Sequence, residues 1–196
     1  MRVFLGMASS LVSLLLLTAC VSSGPDIPIN QDSISAGSRV LAAGQQVDLY
    51  PGSLKVGDNF LEKAKSLDFT FTPSVTIINV VPSLDTIVCE EQTHILGNNP
   101  SIKPNITRMV ISRDLPQAQK RFALDTDLEG IIYLSDYKEG AFGKATGLLI
   151  KGSELLTRGV IVLDQKGIVR YMQLVSRLDE LPDMKKAIDF ANGLGG

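Results

Sequence analysis

Short apolar runs punctuated by glycine, proline and asparagine divide residues 38–193 into alternating strands and helices. Val40-Leu41-Ala42 and Val47-Asp48-Leu49, joined through Gly44, read as a hairpin. Leu67 to Phe71 alternates apolar and polar positions, the pattern of a half-exposed strand. Val75 to Val81 is mostly apolar and ends at Pro82, as a buried strand would. From Thr86 the chain reads as a helix, which Gly97-Asn98-Asn99-Pro100 stops after two or three turns. Ile106 to Ser112 is another buried strand. Leu115 to Leu124 has helical spacing at Leu115, Ala118 and Phe122, with Asp114 as candidate N-cap and Pro116 tolerated in the first turn. Ile131 to Leu134 is a short strand, and Glu139 to Ala145 a short helix weakened by glycine. Gly159 to Leu163 and Ile168 to Val175 flank Asp164-Gln165-Lys166-Gly167, the clearest hairpin in the chain. Pro182 opens a final helix with Met184, Ala187, Ile188 and Ala191 on one face.

Strands alternate with helices first, and an antiparallel hairpin plus a helix follows. That order predicts an α/β fold: a thioredoxin-like sandwich, its mixed β-sheet flanked by helices, with an N-terminal β-hairpin. Repeats, a GxGxxG fingerprint and a P-loop are all missing. The formal charge is −2, with no basic run, which excludes a nucleic-acid binder's balance. A lone histidine and two cysteines argue against a structural zinc site.

The chain divides into three parts. Residues 1–19 read as a signal peptide: Met1-Arg2 starts it, and Val3 to Leu17 is apolar or small and too short for a membrane span. Leu17-Thr18-Ala19-Cys20 resembles the lipobox of bacterial lipoproteins. That resemblance implies cleavage before Cys20 and attachment of acyl chains to it, hence a durable membrane anchor. Val21 follows where lipoproteins kept in the inner membrane often carry aspartate, so the expected location is the bacterial cell envelope, on the periplasmic side of the outer membrane. Residues 20–37, rich in Ser, Gly, Pro and Asn, read as a flexible tether, and residues 38–196 as one domain.

If lipid takes Cys20, one free thiol remains, in an oxidising compartment. Cys89 stands where a helix begins. A sulfur there meets unpaired backbone N–H groups and the positive end of the helix dipole, and both favour the nucleophilic thiolate.

Three blocks then resemble one family, the thiol peroxidases of the atypical peroxiredoxins. The first is Pro82-Ser83-Leu84-Asp85-Thr86-Ile87-Val88-Cys89, which carries the proline, threonine and peroxidatic cysteine of the family motif. The second is Val110 to Phe122, and the third Arg158-Gly159-Val160-Ile161-Val162-Leu163-Asp164, which carries an arginine at a strand start. The resemblance implies that Cys89 attacks a hydroperoxide and becomes a sulfenic acid, with no cofactor. It gives Thr86 the task of contacting peroxide and sulfur from one helical turn earlier, on the same face. Pro82 shields the pocket from water, and Arg158 holds the thiolate and the developing oxyanion. Read as residues alone, Thr86 or Asp85 is an N-cap, Pro82 a strand end and Arg158 a solvated charge. His94 is expected to point away from Cys89.

The chain departs from the family at the position after Phe122, where the usual resolving cysteine is replaced by Ala123. The implied route is therefore a one-cysteine cycle, with an external thiol or a thioredoxin-like protein as reductant. The family resemblance and membrane tethering both point to organic or lipid hydroperoxides as substrates, with hydrogen peroxide as the alternative. The family is often dimeric, so a homodimer is among the partners implied. A non-catalytic scaffold of the same fold is the competing function. A thiol–disulfide oxidoreductase lacks support, because Glu90-Glu91-Gln92 follows Cys89 in place of a Cys-x-x-Cys pair.

Overall fold

The computed structural model describes residues 26–195. The signal peptide at residues 1–19 and Cys20 lie outside them. Two strands, β1 (Arg39–Ala42) and β2 (Gln45–Asp48), form the expected antiparallel hairpin. Ala43 and Gly44 both take positive φ at its turn, the backbone of a two-residue primed turn. A four-residue helix, α1 (Phe60–Lys63), follows; Asn59 caps it by accepting from the Leu61 N–H. It is too short for a periodicity to announce.

The main sheet has five strands: β3 (Thr76–Val80), β4 (Thr107–Ser112), β5 (Ile132–Ser135), β6 (Gly159–Leu163) and β7 (Val169–Leu174). Their spatial order is β5-β4-β3-β6-β7. β3, β4 and β5 run parallel, whereas β6 is antiparallel to both β3 and β7. Between them come α2 (Ile87–Gly97), α3 (Pro116–Asp125) and α4 (Ala141–Thr146), and α5 (Met184–Leu194) closes the chain. The mixed sandwich expected from the element order is the fold observed.

β3 is buried at all five positions because both of its faces are covered. Ile78 and Val80 face a core that includes Phe60 and Phe142 of α1 and α4. Ile77 faces the opposite core, which includes Leu96 of α2 and Ala187, Ile188 and Ala191 of α5.

Three local expectations are corrected. Leu67 to Phe71 pairs with no strand; Phe69 and Phe71 pack against the first core, so their alternation marks sidedness without a ladder. Asp114 does not cap α3, whose N-cap is Leu115. Pro28 to Gly37, expected to be part of a flexible tether, is docked on the domain. The Asn30 N–H donates to the Leu181 carbonyl (2.7 Å), Ile34 N–H to Leu174 (3.0 Å) and Gly37 N–H to Gly147 (2.9 Å). Polar small residues read as a linker, yet here their backbone groups find partners across the fold.

Candidate active site

The site forms where α2 leaves the carboxyl end of β3. Pro82, buried directly after that strand, supplies no N–H and ends the ladder. The chain turns through Ser83-Leu84-Asp85 and enters α2 at Ile87, which places Cys89 in the first helical turn. The first i to i−4 bond of this helix runs from the Glu90 N–H to the Thr86 carbonyl (2.9 Å). The N–H groups of the preceding turn thus lie ahead of the helical ladder, around the cysteine.

Arg158 arrives from far along the chain by strand register. β6 runs antiparallel to β3 with Gly159 opposite Val80, so the residue before Gly159 stands beside the end of β3. Its Nη2 lies 3.3 Å from Cys89 Sγ. The sulfur-bearing residue is 0% exposed and Arg158 is 2% exposed. A guanidinium held in a dry interior is a fixed donor for a thiolate.

Thr86 is placed otherwise. It is the N-cap of α2, with extended backbone (φ −140°, ψ 143°), and its side chain makes no capping bond. Its exposed hydroxyl donates to the Ser83 carbonyl at 3.2 Å and has no hydrogen bond to Cys89. The one-turn spacing that puts residues i and i+3 on one face holds only within a helix, and Thr86 sits at its boundary. The structure therefore brings Cys89 and Arg158 together, buries Pro82 on the way into α2, and leaves Thr86 at the surface.

His94 faces Glu90, at 3.6 Å from its carboxylate, and also approaches Asn98. It has no contact with the sulfur.

The fold and the sequence have counterparts. Residues 60–188 match the Redoxin family. The thiol peroxidase of Bacillus subtilis (strain 168) is 36% identical over 160 residues, covering 77% of this chain and 95% of that protein. The chain belongs to the thiol peroxidase family. A thiol peroxidase of Oceanobacillus iheyensis is 33% identical over 164 residues, covering 79% of this chain and 99% of that protein. Among solved structures, a peroxiredoxin-like protein from Aquifex aeolicus aligns with a TM-score of 0.69 and 29% identity, over 80% of this chain and 97% of that one. The chain is accordingly a thiol-dependent peroxidase of peroxiredoxin type.

As a thiol peroxidase it carries a residue that sequence reasoning passed over. Gln92 is 0% exposed and sits between the arginine and the backbone. Its Oε1 accepts from Arg158 Nη1 (2.9 Å), and its Nε2 donates to the Gly159 carbonyl (2.9 Å). Asn79 of β3 donates in turn to the Gln92 carbonyl (2.8 Å), while Arg158 Nε donates to the Leu178 carbonyl (3.0 Å). All three guanidinium nitrogens are thereby used, and one of them is aimed at sulfur. The available signal was spacing: Cys89, Gln92, Thr93 and Leu96 form the buried face of α2 at i, i+3, i+4 and i+7.

The loop before Cys89 is pinned from the second block of the peroxidase. Asp114 accepts from the Ser83 hydroxyl (2.7 Å), the Leu84 N–H (2.8 Å) and the Ser112 hydroxyl (2.7 Å). Beside it opens a surface cavity of about 410 Å³ whose lining mixes apolar Ile87, Ala118 and Phe122 with Thr86 and the charged Glu90 and Arg121. Ile87 there is 68% exposed.

Ala123 is buried on α3 and borders a separate cavity of about 400 Å³ with Leu124 and Tyr133. Burial pushes the Tyr133 phenol up to about 12. Its hydroxyl donates to the Leu128 carbonyl (3.2 Å).

Proposed function

We propose that this peroxidase is a membrane-tethered, one-cysteine enzyme that reduces organic and lipid hydroperoxides, as well as hydrogen peroxide, through Cys89. The Cys89–Arg158 contact in a fully buried setting carries the mechanism. The Cys89 thiolate attacks the distal peroxide oxygen, the O–O bond breaks, and the departing alkoxide takes a proton to leave as alcohol. Sulfur loses two electrons and becomes a sulfenic acid. Arg158 Nη2 stabilises the thiolate and the oxyanion that develops beside it. Pro82 keeps water from the sulfur, and Thr86, at the mouth, binds the peroxide oxygens as they enter.

Cys89 is the free cysteine among the described residues, which favours reduction from outside. One external thiol condenses with the sulfenic acid, releasing water and forming a mixed disulfide. A second thiol, or the partner cysteine of a thioredoxin-like reductant, then frees Cys89. A buried sulfur requires the first turn of α2 to open for that exchange. The missing side-chain cap at Thr86 supports this, because it leaves the turn weakly held.

The lipid anchor at Cys20 and the outer-membrane location rest on Leu17-Thr18-Ala19-Cys20. With the chain docked from Pro28, the stretch from Cys20 spans at most about 26 to 29 Å. Such a reach would hold the enzyme near a bilayer, where lipid hydroperoxides form. The exposed Ile87 side chain beside Thr86 offers apolar surface to an organic peroxide.

The test is stoichiometric reduction of cumene hydroperoxide by protein lacking residues 1–20, with the Cys89 sulfenic acid trapped and read by mass spectrometry. A Cys89 thiol that stays fully titratable under excess peroxide would end the proposal. Palmitate labelling that is lost in Cys20→Ser tests the anchor separately.

A further inference from the structure

We infer that the strap Pro28–Ile34, through Asn30, positions the Arg158 guanidinium against Cys89. The connection is a continuous set of hydrogen bonds. Arg158 Nε donates to the Leu178 carbonyl at 3.0 Å, so the loop from Ser176 to Leu181 fixes the arginine's outer edge. That loop makes few bonds within itself. It is held on one side by β1, where the Leu41 N–H donates to Ser176 (2.9 Å) and the Leu178 N–H to Leu41 (3.0 Å). On the other side it is held by the strap.

Asn30 is the centre of that second attachment. It is 3% exposed, an unusual degree of burial for an asparagine in a polar segment. Its Nδ2 donates to the Ser176 hydroxyl (3.0 Å) and to the Glu180 carboxylate, and its Oδ1 lies 3.4 Å from the Ser176 N–H as acceptor. Its backbone carbonyl accepts from Gln173 Nε2 (2.9 Å). The Leu181 N–H donates to the Pro28 carbonyl (2.8 Å), and the Asn30 N–H returns the bond to Leu181. Both ends of the loop that carries Leu178 are thus tied to one side chain of the strap and its neighbours.

The charged groups at this junction pair locally, Glu180 with Arg177 (2.9 Å) and Arg177 with Asp179 (2.9 Å). At the sulfur the charged group within hydrogen-bond distance is Arg158, while Glu90 on α2 itself is exposed and turned to His94. Loosening the strap therefore acts on the sulfur through the aim of Nη2. Asn30 is a positioning residue. The inference rests on Arg158 serving as the thiolate's partner, as proposed above.

The experiment follows alkylation of Cys89 by iodoacetamide in the full chain, read by peptide mass spectrometry across pH. The readout is the position of the rate profile along the pH axis. The plateau rate is left aside, since a looser strap also improves access. Asn30→Ala is expected to displace the profile upward by about half a pH unit or more. Arg158→Met should displace it further in the same direction. Ser33→Ala, on the same strap but bonded to Leu174 and not to the loop, should leave it in place. An Asn30→Ala profile coincident with that of the unaltered protein overturns the inference, whatever its melting temperature. If Asn30→Ala does not fold, Ser176→Ala removes one hydroxyl from the same junction and is judged by the same displacement. Alkylation uses no peroxide, so a displaced profile in a protein whose thiol resists peroxide would sink the proposed function and leave the positioning intact.

Discussion

The two sides of Cys89 are built differently. On the inner side Arg158, just ahead of β6, and Asn79 of β3 are buried and both bond to the buried Gln92 of α2. On the outer side Thr86 is exposed, and its side chain makes no cap and is held by one 3.2 Å bond to Ser83. The inner side is in place before any substrate arrives, and electrostatic help of that kind costs no reorganisation during reaction. The outer side faces solvent, where peroxide and a reducing thiol arrive. The contrast separates two tasks, stabilising charge and admitting reactants, between a buried, bonded side and an exposed one.

Cys89→Ser gives the largest expected effect, complete loss of peroxide-driven thiol oxidation and of turnover; residual turnover would place the chemistry elsewhere. Arg158→Met comes next, slowing sulfenic acid formation by about 10²- to 10³-fold, the usual cost of one oxyanion donor. Stopped-flow oxidation at fixed pH reads it. Gln92→Leu leaves Arg158 Nη1 and the Gly159 carbonyl without their partner. It should cost about 1 to 3 kcal/mol of stability by thermal or denaturant unfolding and slow oxidation about tenfold. Thr86→Val should be the mildest, about three- to tenfold in rate with an unchanged melting temperature. A Thr86→Val defect as deep as that of Arg158→Met would erase the distinction between the two sides.

Much of the architecture was legible as pattern. The closing hairpin is set by its turn: Asp164 accepts from the N–H groups of Lys166 (2.9 Å) and Ile168 (3.0 Å), and Gly167 supplies the positive φ. The buried face of α5 is the expected Met184, Ala187, Ile188 and Ala191, capped by Asp183. Failures came where a local signal had a non-local outcome. Leu67 to Phe71 alternates in burial as expected, but a strand also needs an edge to pair with. Asp114 looks like a cap because it precedes a helix, yet its carboxylate is spent on the Ser83–Leu84 loop. Asn30 lay in a stretch with a linker's composition, and nothing local marks it for burial.

At the site the same division holds. The strand-proline-helix order around Pro82 and Cys89, and the chemistry of a sulfur at a helix start, are local properties, since backbone preference and dipole act over a few residues. The guanidinium's approach is not local. It follows from the antiparallel register that sets Gly159 against Val80, and from a glutamine, a loop carbonyl and a docked strap that orient the side chain. Those contacts join residues separated by 66 positions or more along the chain, or pass through the Ser176–Leu181 loop, and only packing of the whole sheet brings them within bonding distance.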